Sequence, residues 1–367
     1  MMNPFRIFVC GHSPAHYPRN ETLMQALAQQ KQVELLDHRQ VSDHWQKVQQ
    51  GMPLWKKAIK KLLRQGDGYL RRLTGLLQQS KPDAILVMWW NEEVLEKILP
   101  LAQAMGVPVW YDPFSSRLLA AEREGGDVEY WRQREGELLR GCDVLLMLTP
   151  PYMDYYGSLY GLPVKQMLLA PLAVEDSWLS PLPPKQEDGI FRVGYWGSFL
   201  KHHGVEVAFE AAKLLQGEPS IRFCFFGSSK IRQVIEDLAL PNLEYLGWQE
   251  TREDLKQAID GLDAAFGHLL PLHDAHLVLP NKALEAMARG KVVLQVESEE
   301  LSEIYGLPGR EQLVFFADGA QGLASHILRL QQDQEVRQKI GREARKAIEE
   351  GHSTQALAHA LPPLLGK

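Results

Sequence analysis

The chain has 367 residues, 45% of them apolar and 23% charged, with a net charge of −6. At about 100 to 200 residues per domain this length implies two domains, and the apolar content excludes a disordered, collagen-like or low-complexity chain. Cys10, Cys142 and Cys224 form no CxxC pair and have no histidines at zinc spacing, which excludes a disulfide scaffold and a structural zinc site.

Short β-rich apolar runs alternate with longer helical patterns, the sign of parallel α/β units. The first runs are Arg6 to Cys10 and Val33 to Asp37, with helical spacing over Glu21 to Gln30. The opening run contains Arg6 and leads directly into Gly11-His12, so it lacks the features of a secretory leader.

A basic stretch follows: His44 to Lys81 carries +8, leaving −14 for the remainder. Within it Trp55, Ile59, Leu62 and Leu63 recur at helical spacing among lysines. Such a helix either covers a sheet with solvated lysines or lies on an anionic membrane. The expectation is peripheral membrane contact through segment 52–72, and no nucleic-acid binding, because the chain as a whole is acidic.

Further strands are expected at Ala84 to Trp90, Val107 to Tyr111, Val144 to Leu148 and Gln166 to Ala170, with a helix over Glu92 to Met105. Several runs are continuous, as in strands covered on both faces, and none approaches the roughly 18 to 20 apolar residues that cross a bilayer. The expected location is the cytoplasm.

Periodicity stops at Pro181-Leu182-Pro183-Pro184 and its polar continuation, the expected domain boundary. Strands then resume at Arg192 to Trp196, Ile221 to Phe226, Leu243 to Leu246, Ala264 to His268, Val292 to Val296 and Leu313 to Phe316. Helices fall at Val205 to Gln216, Lys230 to Leu238, Arg252 to Gly261 and Lys282 to Arg289, and helical pattern continues over Gln321 to Ala347 and Thr354 to Leu365. The expected organisation is an α/β chain of two Rossmann-like, doubly wound parallel-sheet domains: 1–178, a linker over 179–190, 191–350, and a C-terminal helix over 351–367 whose docking the pattern leaves open.

Doubly wound sheets bind ligands beyond the carboxyl ends of their strands. One such loop is Gly197-Ser198-Phe199-Leu200-Lys201-His202-His203-Gly204. It reads either as a phosphate turn or as a tight turn at a strand end. A second candidate is Pro280-Asn281-Lys282-Ala283-Leu284-Glu285. Pro280 sets Asn281 and Lys282 in a first helical turn, and Glu285 shares their face. That face suits a ribose diol and a diphosphate, or else carries a solvated Lys–Glu pair. In the first half Asp112 ends a strand, placed to bond a sugar hydroxyl, and His12, His16 and Arg19 follow the first strand.

These two loops, with Asn242-Leu243-Glu244-Tyr245-Leu246-Gly247-Trp248 and the two-domain boundary, resemble the nucleotide-sugar-dependent glycosyltransferases of the GT-B fold. The likeness is strongest to the large retaining family of bacterial polysaccharide and glycolipid transferases, glycosyl transferases group 1. The resemblance implies that the second domain holds a nucleoside-diphosphate sugar, the first holds the acceptor, and transfer occurs in a cleft between them. On that resemblance Glu285 binds the donor ribose, Asn281, Lys282, Gly197 and Ser198 lie at the diphosphate, and Lys282 and Lys201 stabilise its departing charge. His12, His16, Arg19, His202 and His273 then belong to the substrate-binding set, and Asp112 to the catalytic one. Many members carry a second glutamate eight residues before the ribose-binding one, where this chain has Leu277. No permanently bound cofactor or metal is implied, and His273, Asp274 and His276 read as a loop near the sugar. The expected activity is glycosyl transfer to a saccharide, glycolipid or other cell-envelope hydroxyl with retention. The alternatives are an epimerase or phosphorylase of the same fold, or a silent sugar-binding or scaffold protein.

Overall fold

The structure is a computed structural model that describes residues 4–11, 17–40, 68–89, 91–184, 188–197, 199, 203–271, 273–305 and 313–361. It divides into two units, Met1–Pro171 with Leu357–Lys367, and Leu172–Ala356.

The first unit holds one sheet of parallel strands: β1 (Phe5–Cys10), β2 (Val33–Asp37), β3 (Ala84–Val87), β4 (Val109–Tyr111), β5 (Val144–Met147) and β6 (Met167–Leu169), in the order β2-β1-β3-β4-β5-β6. Every residue of β3 and β5 is buried, as their unbroken apolar sequences require of strands covered on both faces. Its helices among the described residues are α1 (Pro18–Ala28), α2 (Gly68–Ser80), α3 (Glu92–Met105), α4 (Arg117–Glu124), α5 (Val128–Arg140) and α6 (Pro150–Tyr160). Their ends follow local chemistry: the Asp127 side chain accepts from Tyr130 N at the start of α5, and Thr149 accepts from Tyr152 N ahead of Pro150 in α6.

The second unit repeats the plan with β7 (Phe191–Gly197), α7 (Val205–Leu214), β8 (Ile221–Gly227), α8 (Lys230–Leu238), β9 (Leu243–Tyr245), α9 (Arg252–Asp260), β10 (Ala264–Phe266), α10 (Asn281–Ala288), β11 (Val292–Val296), α11 (Glu299–Tyr305), β12 (Val314–Phe316), α12 (Gly319–Gln332) and α13 (Gln334–Gly351), and the last helix, α14 (Thr354–Ala360), begins in it and ends in the first unit. Its strands are parallel in the order β12-β11-β10-β7-β8-β9, so β7 and β10 lie side by side where the winding direction reverses. Phe209 of α7 and Leu323 and Ile327 of α12 form a core with Val193, Phe223, Phe225 and Phe266 of the sheet. Helix α10 instead packs with β10, β11 and α13.

Three boundaries differ from the sequence pattern. The helical stretch 321–347 is two helices, broken at Asp333, whose carboxylate accepts from Val336 N and caps α13. The division between units falls at Pro171 and Leu172, ahead of the expected linker 179–190. Arg289 binds the carbonyls of Trp178 and Ser180 at 3.0 Å, and Arg345 binds that of Leu179 at 2.6 Å. These bonds anchor the chain just ahead of the proline-rich stretch, whose prolines have no N–H to give a ladder. The last segment, Leu357–Lys367, groups with the first unit, where Gln30 donates to the Ala358 carbonyl at 2.7 Å.

Of the basic segment 52–72, residues 52–67 lie outside the described ones, and Arg71 and Arg72 are exposed on α2. Among the described residues no helix is long and apolar enough to cross a membrane.

Candidate active site at the carboxyl edge of the second sheet

The winding reversal between β7 and β10 is the place where such a sheet leaves a crevice for a ligand. Strand β7 ends at Gly197 (φ 109°) in register with Gly227 of β8 (φ 120°). A Cβ on Gly227 would stand 2.7 Å from the Gly197 oxygen, so only glycine lets these two strand ends meet. The chain then enters α7 through His203 and Gly204, pinned by Leu269 N donating to the His203 carbonyl at 3.0 Å.

Helix α10 enters the same edge. Pro280 precedes it in extended conformation and provides no side-chain cap, so first-turn N–H groups and the positive end of the helix dipole are available to an anion. Packing buries every residue from Lys282 to Ala288.

Neighbouring residues of β7 point to opposite sides of the sheet, and each meets one polar side chain of α10. The Lys282 ammonium lies 3.5 Å from the centre of the Tyr195 ring and 3.2 Å from His203 Nδ1. The Tyr195 hydroxyl is 2.9 Å from the same nitrogen, and the His268 ring is 5.2 Å from that of His203. On the other side the Trp196 indole N–H donates to Glu285 Oε2 at 2.9 Å. Lys282 and Glu285 are therefore not a solvated pair: each is 8% or less exposed and has its own partner.

Burial holds Lys282 well below its ordinary 10.5, against a smaller opposing effect of the Glu285 charge. Burial likewise raises Glu285 from 4.5 to about 6, with the Trp196 hydrogen bond and then Arg252 and Lys282 drawing it back. Because the folded value exceeds the unfolded one, Glu285 contributes stability below pH 4.5 that is lost as pH rises through about 6. Glu285→Gln removes this titration. Relative to wild type it gains on the order of 2 kcal/mol as pH rises across that window. Thermal melts of the two proteins at several pH values check this, while a constant difference contradicts it.

Strand β11 supports the adjoining loop. Buried Gln295 accepts from His268 N at 2.8 Å and donates to the Ala275 carbonyl at 3.4 Å, tying the chain after β10 to the 3-10 turn His273–His276.

Of the site residues expected from sequence, Gly197, Asn281, Lys282 and Glu285 share this edge, and the His273 backbone lies in the adjoining turn. His12, His16, Ser198, Lys201 and His202 lie outside the described residues. Arg19 and Asp112 lie in the first unit. Both are fully buried and bond to each other, Nη2 to Oδ1 at 2.9 Å and Nε to Oδ2 at 3.0 Å. Arg19 also donates to the Pro171 carbonyl at 2.9 Å. The pair ties α1 to the end of β4, a structural role beside the one expected of each from the sequence. Tyr195, Trp196, Gly227, His268 and Gln295 were not among the expected residues. Gly227 has a visible signal, a glycine ending an apolar strand, and the others need the α10 contacts to be known.

Residues 190–333 match a family model described as Glycosyl transferases group 1. Within the second unit, these residues are similar to a glycosyl transferases group 1 domain. The match spans β7 to β12 and includes Gly197, Asn281, Lys282 and Glu285. No curated protein matches the chain in sequence. Among solved structures the chain is similar to Alr3699/HepE of Anabaena, in complex with UDP and glucose, at 13% identity and TM-score 0.70, covering 98% of this chain and 99% of that one. It is also similar to sucrose-phosphate synthase of Thermosynechococcus elongatus at 14% identity and TM-score 0.73, covering 98% of each chain. A third is the lipopolysaccharide outer core galactosyltransferase WaaB at 13% identity and TM-score 0.63, covering 99% of this chain and 100% of that one. The two Rossmann-like sheets are those of the GT-B fold, and with the group 1 domain the protein is a glycosyltransferase.

Proposed function

We propose that the protein transfers a sugar from a nucleoside-diphosphate sugar to a hydroxyl of a saccharide, glycolipid or other cell-envelope acceptor, with retention at the anomeric carbon. One observation carries the reading: α10 delivers a buried cation and a buried carboxylate, on separate partners, to the edge where Gly197 and Gly227 meet. Glu285 accepts from the ribose diol, and the diphosphate lies at the first turn of α10 and the Gly197 turn. That HepE was solved with UDP and with UDP-glucose supports a uridine donor.

As the bond from the anomeric carbon to the phosphate oxygen breaks, negative charge develops on the diphosphate. Lys282 and the first-turn N–H groups stabilise it, and a diphosphate beside Lys282 favours its charged form. The acceptor oxygen bonds to the same face of the anomeric carbon, and its proton passes to the departing phosphate. We place the activity in the cytoplasm, with segment 52–72 as contact to an anionic membrane that bears the acceptor.

Incubation with a panel of nucleotide sugars, read by mass spectrometry, tests the reading. Release of a nucleoside diphosphate from at least one donor, accelerated by a saccharide or glycolipid acceptor, is expected. Isomerised donor or free sugar phosphate points to epimerase or phosphorylase chemistry, and an unchanged panel to a silent binding protein.

A further inference from the structure

We propose that Trp196 is the positioning residue for the donor ribose: its indole N–H holds the Glu285 carboxylate in the one orientation that presents the other oxygen to the diol. The inference rests on the donor-site reading above.

The geometry is specific. Trp196 Nε1 lies 2.9 Å from Glu285 Oε2, and both side chains are buried, at 4% and 7% exposure. Among the described residues no protein donor is recorded on Oε1. The indole cannot swing away. It stacks on Phe226 with ring centres 5.3 Å apart and planes 5° from parallel, and these two residues face each other in the β7–β8 register. A rigid donor on a central strand costs no rotamer entropy when the carboxylate binds it.

The placement along β7 adds a second point. Tyr195, the preceding residue, lies under the Lys282 ammonium. Gly197, the following one, is the turn that meets Gly227. Three consecutive residues therefore set the positions of cation, ribose carboxylate and phosphate turn against one rigid strand. Arg252, Lys282 and Glu175 are the charges that act on Glu285 from α9, α10 and the segment before β7. The Arg252–Glu175 ion pair, at 3.0 Å, holds two of them together. Trp196 is the neutral group within hydrogen-bonding distance, so its effect on the carboxylate is separable from theirs.

Two changes at position 196 test the proposal: Trp196→Phe, and replacement of the indole by benzothiophene, which keeps the shape but exchanges N–H for sulfur. Both are compared with wild type for nucleoside-diphosphate affinity and for the pH dependence of kcat/KM on donor. Loss of a hydrogen bond to a charged group should weaken affinity about tenfold. The acid limb should move to higher pH, because the bond that favoured the carboxylate is gone. In a Glu285→Gln background the same changes should add little, since the two residues act as one unit. An acid limb that stays in place in the sulfur analogue, or a tenfold loss that persists undiminished in the Glu285→Gln background, overturns the positioning role while leaving the donor site standing. If wild type binds no nucleoside diphosphate, the donor-site reading itself falls and this proposal with it.

Discussion

Lys282→Met is expected to lower kcat/KM by about a hundred- to a thousandfold, the cost of removing one preorganised donor from a developing charge, ~3 to 4 kcal/mol. The reason lies in where the ammonium sits: buried, over the Tyr195 ring and beside His203 Nδ1, at the free first turn of α10. Methionine keeps the length of the side chain and still packs on the Tyr195 ring through its sulfur. The fold should not suffer. Because burial lowers the Lys282 pKa, the folded protein resists the proton that the unfolded chain takes up below pH 10.5. Its charge therefore costs stability in that range, and the cost vanishes at higher pH. The variant should melt no lower than wild type at neutral pH. Steady-state kinetics with a fixed donor, alongside a thermal melt, check both halves, and a variant of near-wild-type turnover contradicts the role given to Lys282.

Asp112→Ala is expected to act on stability first. It leaves the Arg19 guanidinium fully buried without its counter-charge, a change that costs about 3 to 5 kcal/mol. For a unit of this size, at roughly 2 to 4 °C per kcal/mol, the melting temperature falls by about 6 to 20 °C. Arg19→Met with Asp112→Leu should recover most of the loss, because a buried pair replaced by apolar side chains is close to neutral. Calorimetry of the single and double variants decides the matter. A single variant as stable as wild type yet inactive returns Asp112 to the chemistry that its place at a strand end suggested.

What could be read in the sequence follows from how local each signal is. The strands are continuous apolar runs because helices cover both faces, so β3 and β5 are legible from four residues each. The first turn of α10 is legible from Pro280, and the shared face of Lys282 and Glu285 from helical spacing. Their partners are not. Tyr195 and Trp196 lie in a strand 85 or more residues earlier, and Trp196 to Glu285 is a separation of 89. Nothing in an apolar strand distinguishes an indole that packs from one that also donates. Arg19 and Asp112 hide their partners in the same way. Each reads as a polar group at a ligand-facing end, and only a contact across 93 residues shows that the two neutralise each other. The residues just ahead of the proline-rich stretch are anchored by Arg289 and Arg345, partners more than a hundred residues along the chain that no local pattern reveals.

The central claim is that α10 and the strand β7 together hold a nucleoside diphosphate through Lys282 and Glu285. The most direct measurement is calorimetric titration of wild type and Glu285→Gln with uridine, guanosine and adenosine diphosphates, above the pH at which Glu285 titrates. The account predicts that at least one of the three binds wild type and that its affinity falls at least about tenfold in the variant, as loss of a hydrogen-bonded charge requires. Absence of binding by all three, or equal affinity in both proteins, contradicts it.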